Sequence, residues 1–181
     1  PNPRRIAAAK AKANAEGLEI DFREGGAEAM PFADQSFDVV VFSNSLHHIP
    51  GMDAALAEAA RVVRPGGLVY VMEPVPAGNY FDATRLVNDE TEIRTEAYVA
   101  LERARAAKLV KSSETLYRAR RAFVSFEEWR DDQLERDAKR AAAFEQHGAE
   151  VRRLFDAEAD RENGRWVFDQ VSRVNLLTRE G

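Results

Sequence analysis

Apolar and polar positions along this chain follow two periods, and the switches between them mark its elements. Residues 2–16 read as a helix: Asn2 suits the cap, Pro3 the first turn, the Ala- and Lys-rich body has high propensity, and Gly17 suits the stop. Leu18, Ile20 and Phe22 then alternate with Glu19, Asp21 and Arg23, the period of a short strand, before Gly25-Gly26. Residues 37–42 are an unbroken β-branched and aromatic run, which predicts a strand covered on both faces. The helical period returns over residues 52–63, with Asp53 as cap and Leu56, Ala59, Ala60 and Val63 sharing a face, and Arg64-Pro65-Gly66-Gly67 stops it. Residues 68–72 form a second buried-type strand.

Helix and strand in alternation, with short Gly/Pro connections, predict βαβ crossovers and a parallel sheet with helices on its faces. Beyond Glu73-Pro74 the pattern changes. Residues 77–122 carry acidic side chains early (Asp89, Glu90, Glu92, Glu96) and basic ones later (Arg103, Arg105, Lys108, Lys111, Arg118, Arg120, Arg121), and read as a helical insert outside the sheet. Ser125 followed by Glu128 is a capping box opening a polar helix with Trp129 and Leu134 facing inward. Residues 150–155 and 166–177 read as two strands, with Asn163-Gly164 in a turn longer than two residues. The organisation expected is therefore one structural domain in three parts: a core at 1–76, an insert or lid at 77–122, and a closing helix and hairpin at 123–181.

With 181 residues the chain can bury a proper core. A net charge of −5 gives no reason to expect nucleic acid or an anionic membrane as partner. The absence of cysteine excludes a disulfide framework and a thiol nucleophile. No apolar run approaches the roughly 18 residues of a membrane span, and the basic, alanine-rich start lacks the apolar region of a signal peptide. A cytoplasmic location is expected. Oligomeric state is not readable. The chain begins at Pro1 rather than methionine.

Ligands of open α/β sheets bind beyond the carboxyl ends of the strands. Three such ends are chemically marked: Gly25-Gly26-Ala27-Glu28, then Ser43-Asn44-Ser45-Leu46-His47-His48, then Glu73-Pro74. Metal ligation is not expected, because adjacent histidines diverge and the remaining one, His147, lies far along the chain. Two roles stay open for His47 and His48: a general base near neutrality, or a ring that packs under the loop and holds its shape. Glu73, a carboxylate ending a buried strand, needs a partner, either substrate or an arginine of the insert. Tyr80 and Phe81 read as packing. Arg118, Arg120 and Arg121 read either as an anion site or as a solvated face.

The run GGAEAMPFADQSFDVVVFSNSLHHIPGMDAALAEAARVVRPGGLVYVMEP resembles the central part of the class I S-adenosylmethionine-dependent methyltransferases. In that family D-A-x-x-L-P-F-x-x-x-S-F-D is followed by a short loop with L-H-H and then by R-x-L-[KR]-P-G-G. The likeness covers residues 1–76, and the helix and hairpin at 123–181 fit the family's antiparallel last strand. It implies a Rossmann-like α/β sheet, mostly parallel with an antiparallel C-terminal hairpin, apparently lacking its first βαβ unit. It implies methyl transfer from S-adenosylmethionine, leaving S-adenosylhomocysteine, to a small-molecule acceptor. It also implies cofactor contacts at Asn2, Ala27, Glu28, Ser43, Asn44 and His48, with His47, His48 and Glu73 the candidates for any catalytic role. On this reading Leu46-His47-His48 is the wall of a pocket and the insert selects the acceptor.

The sequence departs from the family in two places. The glycine-rich loop after the first strand is absent, together with the acidic residue that ends the second, and PNPRRIAAAKAKA resembles the helix just after that residue. The resemblance thus implies about 40–70 further residues ahead, the length of a βαβ unit and its flanks. Gly26 stands where the family often has an aspartate facing the adenine amino group, a contact that Glu28 or the backbone of Ala27 would take over. Two other readings remain: a methyltransferase-like module without catalysis, acting in binding or assembly, and a nicotinamide-dependent Rossmann enzyme. The antiparallel ending and the lack of a Tyr-Lys pair at helical spacing weigh against the latter.

Overall fold

The computed structural model describes residues 3–181, with side chains from Ile6 onward, so Asn2 lies outside the described residues. Helix α1 (Pro3–Ala15) is followed by Gly17 at φ +67°, and the Leu18 N–H donates to Ala13 O at 2.9 Å, so a left-handed glycine ends the helix as expected. Residues 18–23 correct the sequence reading. They form no strand, and Leu18 and Ile20 are 51% and 53% exposed. Alternation alone does not make a strand. It needs a neighbour to pair with, and among the described residues none lies alongside.

The sheet contains β1 (Phe37–Ser43), β2 (Val63–Pro74), β3 (Leu109–Phe123), β4 (Asp160–Glu162) and β5 (Arg165–Arg179). Its order is β1-β2-β5-β3, with β4 on β5. β1 and β2 pair in parallel across α2 (Met52–Val62), the expected βαβ crossover. β5 runs antiparallel to β2, β3 and β4, so four strands point one way and β5 alone runs against them. This is the Rossmann-like arrangement with an antiparallel closing strand. β1 departs from the expectation of cover on both faces: it is an edge strand, with Val39 48% and Val41 59% exposed.

The α2 face is built as the pattern predicts, with Ala55, Leu56, Ala59, Ala60 and Val62 buried. Its cap is Gly51 rather than Asp53, whose carboxylate instead accepts from Arg103 Nη2 at 2.8 Å. Gly67 lets the turn into β2 pass close to β1: a Cβ there would stand 2.7 Å from the Asp38 carbonyl oxygen.

Beyond β2, α3 (Asn79–Thr84) and α4 (Thr91–Arg103) fit a helical insert, but the basic half of 77–122 does not. Residues 109–123 are the long strand β3, paired with β5 along its whole length. Charged side chains on both faces hid it, because an exposed edge strand lacks the apolar run that marks a buried one. Ser125 does cap α5 (Phe126–Arg136), accepting from Glu128 N, and Trp129 is fully buried while Leu134 is only partly so. Residues 150–155 belong to α6 (Ala141–Glu158) and are not a strand. Val151 and Phe155, four apart and both fully buried, are the helical signal that a six-residue window obscured. The first hairpin strand is the short β4. Its turn is the two residues Asn163 (φ +50°) and Gly164 (φ +77°), both left-handed as a type I′ turn requires.

Two apolar clusters result. One joins β1 and β2 to α2 and α4 through Phe42, Leu56, Val69, Val71 and Leu101. The other joins α3, α5 and α6 to β5 through Trp129, Val151, Phe155 and Phe168.

Candidate functional site

The loop leaving β1 is held by a single carboxylate. Asn44 turns the chain at φ +49°, a conformation asparagine tolerates, and its N–H donates to Met72 O at 2.8 Å. The next three residues all converge on Glu73 at the end of β2. Ser45 N and Leu46 N donate to Oε1 at 3.0 and 2.7 Å, and His47 Nδ1 bonds to Oε2. Glu73 is 7% exposed, His47 5% and Leu46 fully buried. Glu73 therefore meets neither an arginine of the insert nor open cavity space; it fixes the shape of the loop. His47 takes the packing role left open for it, and its Nδ1 is committed to Glu73.

His48 lies on the other side of that ring, with centroids 3.9 Å apart and planes tilted by 46°. Its pKa is lowered from 6.5, first by partial burial and then by the neighbouring His47, so the ring is neutral at neutral pH. His47, His48 and Glu90 present ligand atoms within 4.8 Å of one another. Glu90, however, accepts from Arg94 Nη2 at 2.5 Å, so a cation would have to displace a guanidinium.

A cavity of about 600 Å³ opens at this end of the sheet, a size suited to a small molecule. Asn44, His47 and His48 form its floor, and Tyr80, Thr84 and Arg94 of the α3–α4 segment one wall. Tyr117, Ala119 and Arg121 of β3 form a second wall, and Gln133, Arg136 and Arg140 of the α5–α6 region a third. The period of β3 splits the basic cluster of the sequence. Arg121 faces the cavity, whereas Arg118 and Arg120 point away and pair with Asp169 and Glu162 on the solvated side. Tyr80 packs on the second apolar cluster, as expected, but its hydroxyl also accepts from Gln133 Nε2 at 2.9 Å. In the sequence Tyr80 reads only as packing and Glu90 only as part of an acidic stretch, and Arg94, Gln133 and Arg140 are not marked as site residues. They lie far apart along the chain, and no motif links them.

Ala27, Glu28 and Ser43 do not line this cavity. Ala27 packs against the first apolar cluster, and Ser43 is exposed at the tip of β1. The Glu28 carboxylate folds back over Gly26: a Cβ at position 26 would stand 2.7 Å from Oε2. Glu28 thus fills the space that a side chain at 26 would enter. The segment behind is clamped to α2. Met30 N donates to Glu58 Oε2 at 2.8 Å, and Arg61 donates to Glu58, to Asp34 and to the carbonyls of Met30 and Phe32 at 2.7–2.9 Å. This pairing holds the Glu58 carboxyl down at a pKa of about 2.

A mixed sheet closed by an antiparallel strand, a loop pinned at the carboxyl edge and a cavity above it give the fold of the class I methyltransferases. Residues 1–71 match the family described as "Methyltransferase domain". The chain is 44% identical over 66 residues to the ubiquinone/menaquinone biosynthesis C-methyltransferase UbiE of Bartonella bacilliformis, covering 35% of this chain and 25% of that protein. It is 40% identical over 80 residues to the demethylmenaquinone methyltransferase of Thermus thermophilus, covering 43% and 36%. The chain thus spans well under half the length of these curated relatives. Among solved structures, a Bacillus halodurans protein described as a candidate methyltransferase matches with TM-score 0.64 at 21% identity, over 99% of this chain and 80% of that one. Among the described residues no helix is long and apolar enough to cross a membrane.

Proposed function

We propose that this protein transfers a methyl group from S-adenosylmethionine to a small-molecule acceptor bound in the cavity above His48. The observation that carries the reading is the pinned loop: Glu73 orders residues 45–47 so that Asn44 and His48 face the cavity from the end of β1. The cofactor supplies a methyl on a cationic sulfonium, which is already a good leaving group. The protein's part is then to position the acceptor and exclude water.

The residues present fit the cofactor. The Glu28 carboxylate over Gly26 is the acceptor for an adenine amino group, with Ala27 beside it, and the Glu58–Arg61 clamp keeps that turn in place. Ser43 and Asn44 form the exposed lip for the methionine part. His48, neutral at neutral pH, accepts a proton where the acceptor atom carries one. The α3–α4 segment, which contributes Tyr80, Thr84 and Arg94 to the cavity, selects the acceptor. The absence of cysteine and the net charge of −5 support a cytoplasmic site of action without nucleic acid as partner.

Calorimetric titration of the full chain with S-adenosylhomocysteine tests the reading. Saturable binding that weakens in Glu28→Ala is expected. No heat at millimolar ligand would remove methyl transfer and leave a methyltransferase-like module that binds something else.

A further inference from the structure

Four guanidinium groups line the cavity, and three of them pair with two carboxylates. Arg94 donates to Glu90 through both Nε and Nη2, at 3.1 and 2.5 Å. Arg136 donates to both oxygens of Asp132 at 2.9 and 3.0 Å, and Arg121 reaches the same carboxylate at 3.3 Å. Arg140 is different. Its Nη1 donates to Gln133 Oε1 at 2.5 Å, its Nε is buried with no hydrogen-bond partner, and among the described residues no carboxylate makes a direct ion pair with it, Glu90 and Asp137 acting on its charge from further off. An arginine keeps its charge at any physiological pH, so this is a half-buried cation without a direct ion pair.

Three further features make the arrangement a built one. Gln133, which orients the guanidinium, is 1% exposed and is itself fixed by Tyr80. Arg140 stands at the N-cap of α6, where the helix dipole opposes a cation and favours an anion. A buried Nε donor without a partner and a cation without a direct ion pair are both costly to the fold. A planar or tetrahedral oxyanion in the cavity would accept from the Nη–H groups of the guanidinium.

Building on the methyl-transfer reading, we propose that the acceptor carries an anionic group, a carboxylate or a phosphate, seated against Arg140 on the α5–α6 wall of the cavity. Tyr80 and Tyr117, which also line the cavity, suit an attached ring or apolar body. The anion fixes the acceptor at one end, and its reacting atom is presented toward His48 at the other.

The test uses benzoate, phenyl phosphate and the neutral isostere benzamide as probes, titrated into the full chain with S-adenosylhomocysteine present and followed by NMR or calorimetry. Either anion is expected to bind roughly tenfold tighter than benzamide, the effect of one charge-assisted contact. The tighter of the two anions identifies which oxyanion the wall takes. Arg140→Gln should erase the preference and Arg140→Lys restore part of it, with S-adenosylhomocysteine affinity unchanged in both. Benzamide binding as tightly as the anions, or a preference that survives Arg140→Gln, overturns the proposal. Should Arg140→Gln not fold, the wild-type comparison of benzoate with benzamide decides alone. An anion preference without S-adenosylhomocysteine binding would uphold the anion site and sink the methyl-transfer reading, so the two fail separately.

Discussion

Replacing Glu73 with alanine takes away the one acceptor shared by Ser45 N, Leu46 N and His47 Nδ1. Leu46 is fully buried and His47 nearly so, so water cannot readily take over either bond. Each buried donor left unsatisfied costs about 1–3 kcal/mol, which makes the gross loss for the three roughly 3–9 kcal/mol. Against this, the wild type bears the desolvation of a buried carboxylate, which alanine relieves, so the net expected loss is about 2–4 kcal/mol. For a chain of this size each kcal/mol moves the melting temperature by about 2–4 °C, which puts Glu73→Ala roughly 5–15 °C below wild type. Glu73→Gln keeps one oxygen for the Ser45 and Leu46 N–H groups, and its amide N–H can donate to a neutral His47 Nδ1. It should recover more than half of the loss. Thermal melts and urea titrations of the three proteins measure both quantities. If Glu73→Ala melts within about 2 °C of wild type, the carboxylate is not what orders the loop; if Glu73→Gln is no better than alanine, charge matters more than bond geometry.

The Arg61 clamp predicts that Arg61→Ala frees residues 28–36: hydrogen exchange at the Met30 amide should rise roughly tenfold or more, while amides of β2 stay protected. Glu58 titrates at about 2 when folded and near 4.5 when not, so its contribution to stability is present above pH 4.5 and is lost as pH falls toward 2; acid unfolding of Glu58→Gln should be flatter through that window. His48 has the lowered pKa of a ring that prefers to be neutral, so its contribution is full above pH 6.5 and declines as pH falls through that value. An NMR midpoint for His48 at or above 6.5 would contradict this. Gly67→Ala would place a Cβ 2.7 Å from the Asp38 carbonyl and 2.9 Å from that of Arg64, two backbone oxygens that cannot swing away; a loss of about 1–3 kcal/mol by urea titration is expected.

The half of the chain that could be read from sequence is the half whose signals are local. In residues 37–74 the strand, the polar lip, the amphipathic helix and the Gly-Gly turn follow one another within a single crossover, so periodicity and punctuation suffice. The same criteria failed at 18–23 and 150–155, in opposite directions. The first has the right alternation and nothing to pair with. The second has β-branched and aromatic residues, but Val151 and Phe155 are set four apart on a helix whose other faces are polar. Strand β3 failed for a third reason: a long edge strand with charges on both faces is well built against aggregation and for that reason lacks a buried strand's signature.

The site divides along the same line. Asn44, His47, His48 and Glu73 were all marked in the sequence because each ends an element whose neighbour is close in the chain. What the sequence concealed was their division of labour. Whether Glu73 faces a ligand or braces a loop depends on three donors some 26–28 residues away, a distance only the crossover closes. The walls are assembled from Tyr80, Arg94, Arg121, Gln133 and Arg140, each from a different element and separated by up to 60 positions. No spacing rule joins them, and each alone reads as an ordinary surface residue of a helix or strand. Their meaning comes from how the charges pair. Arg121 and Arg136 share Asp132, Arg94 takes Glu90, and Arg140 is left without a direct ion pair, as the group through which these walls can distinguish one acceptor from another.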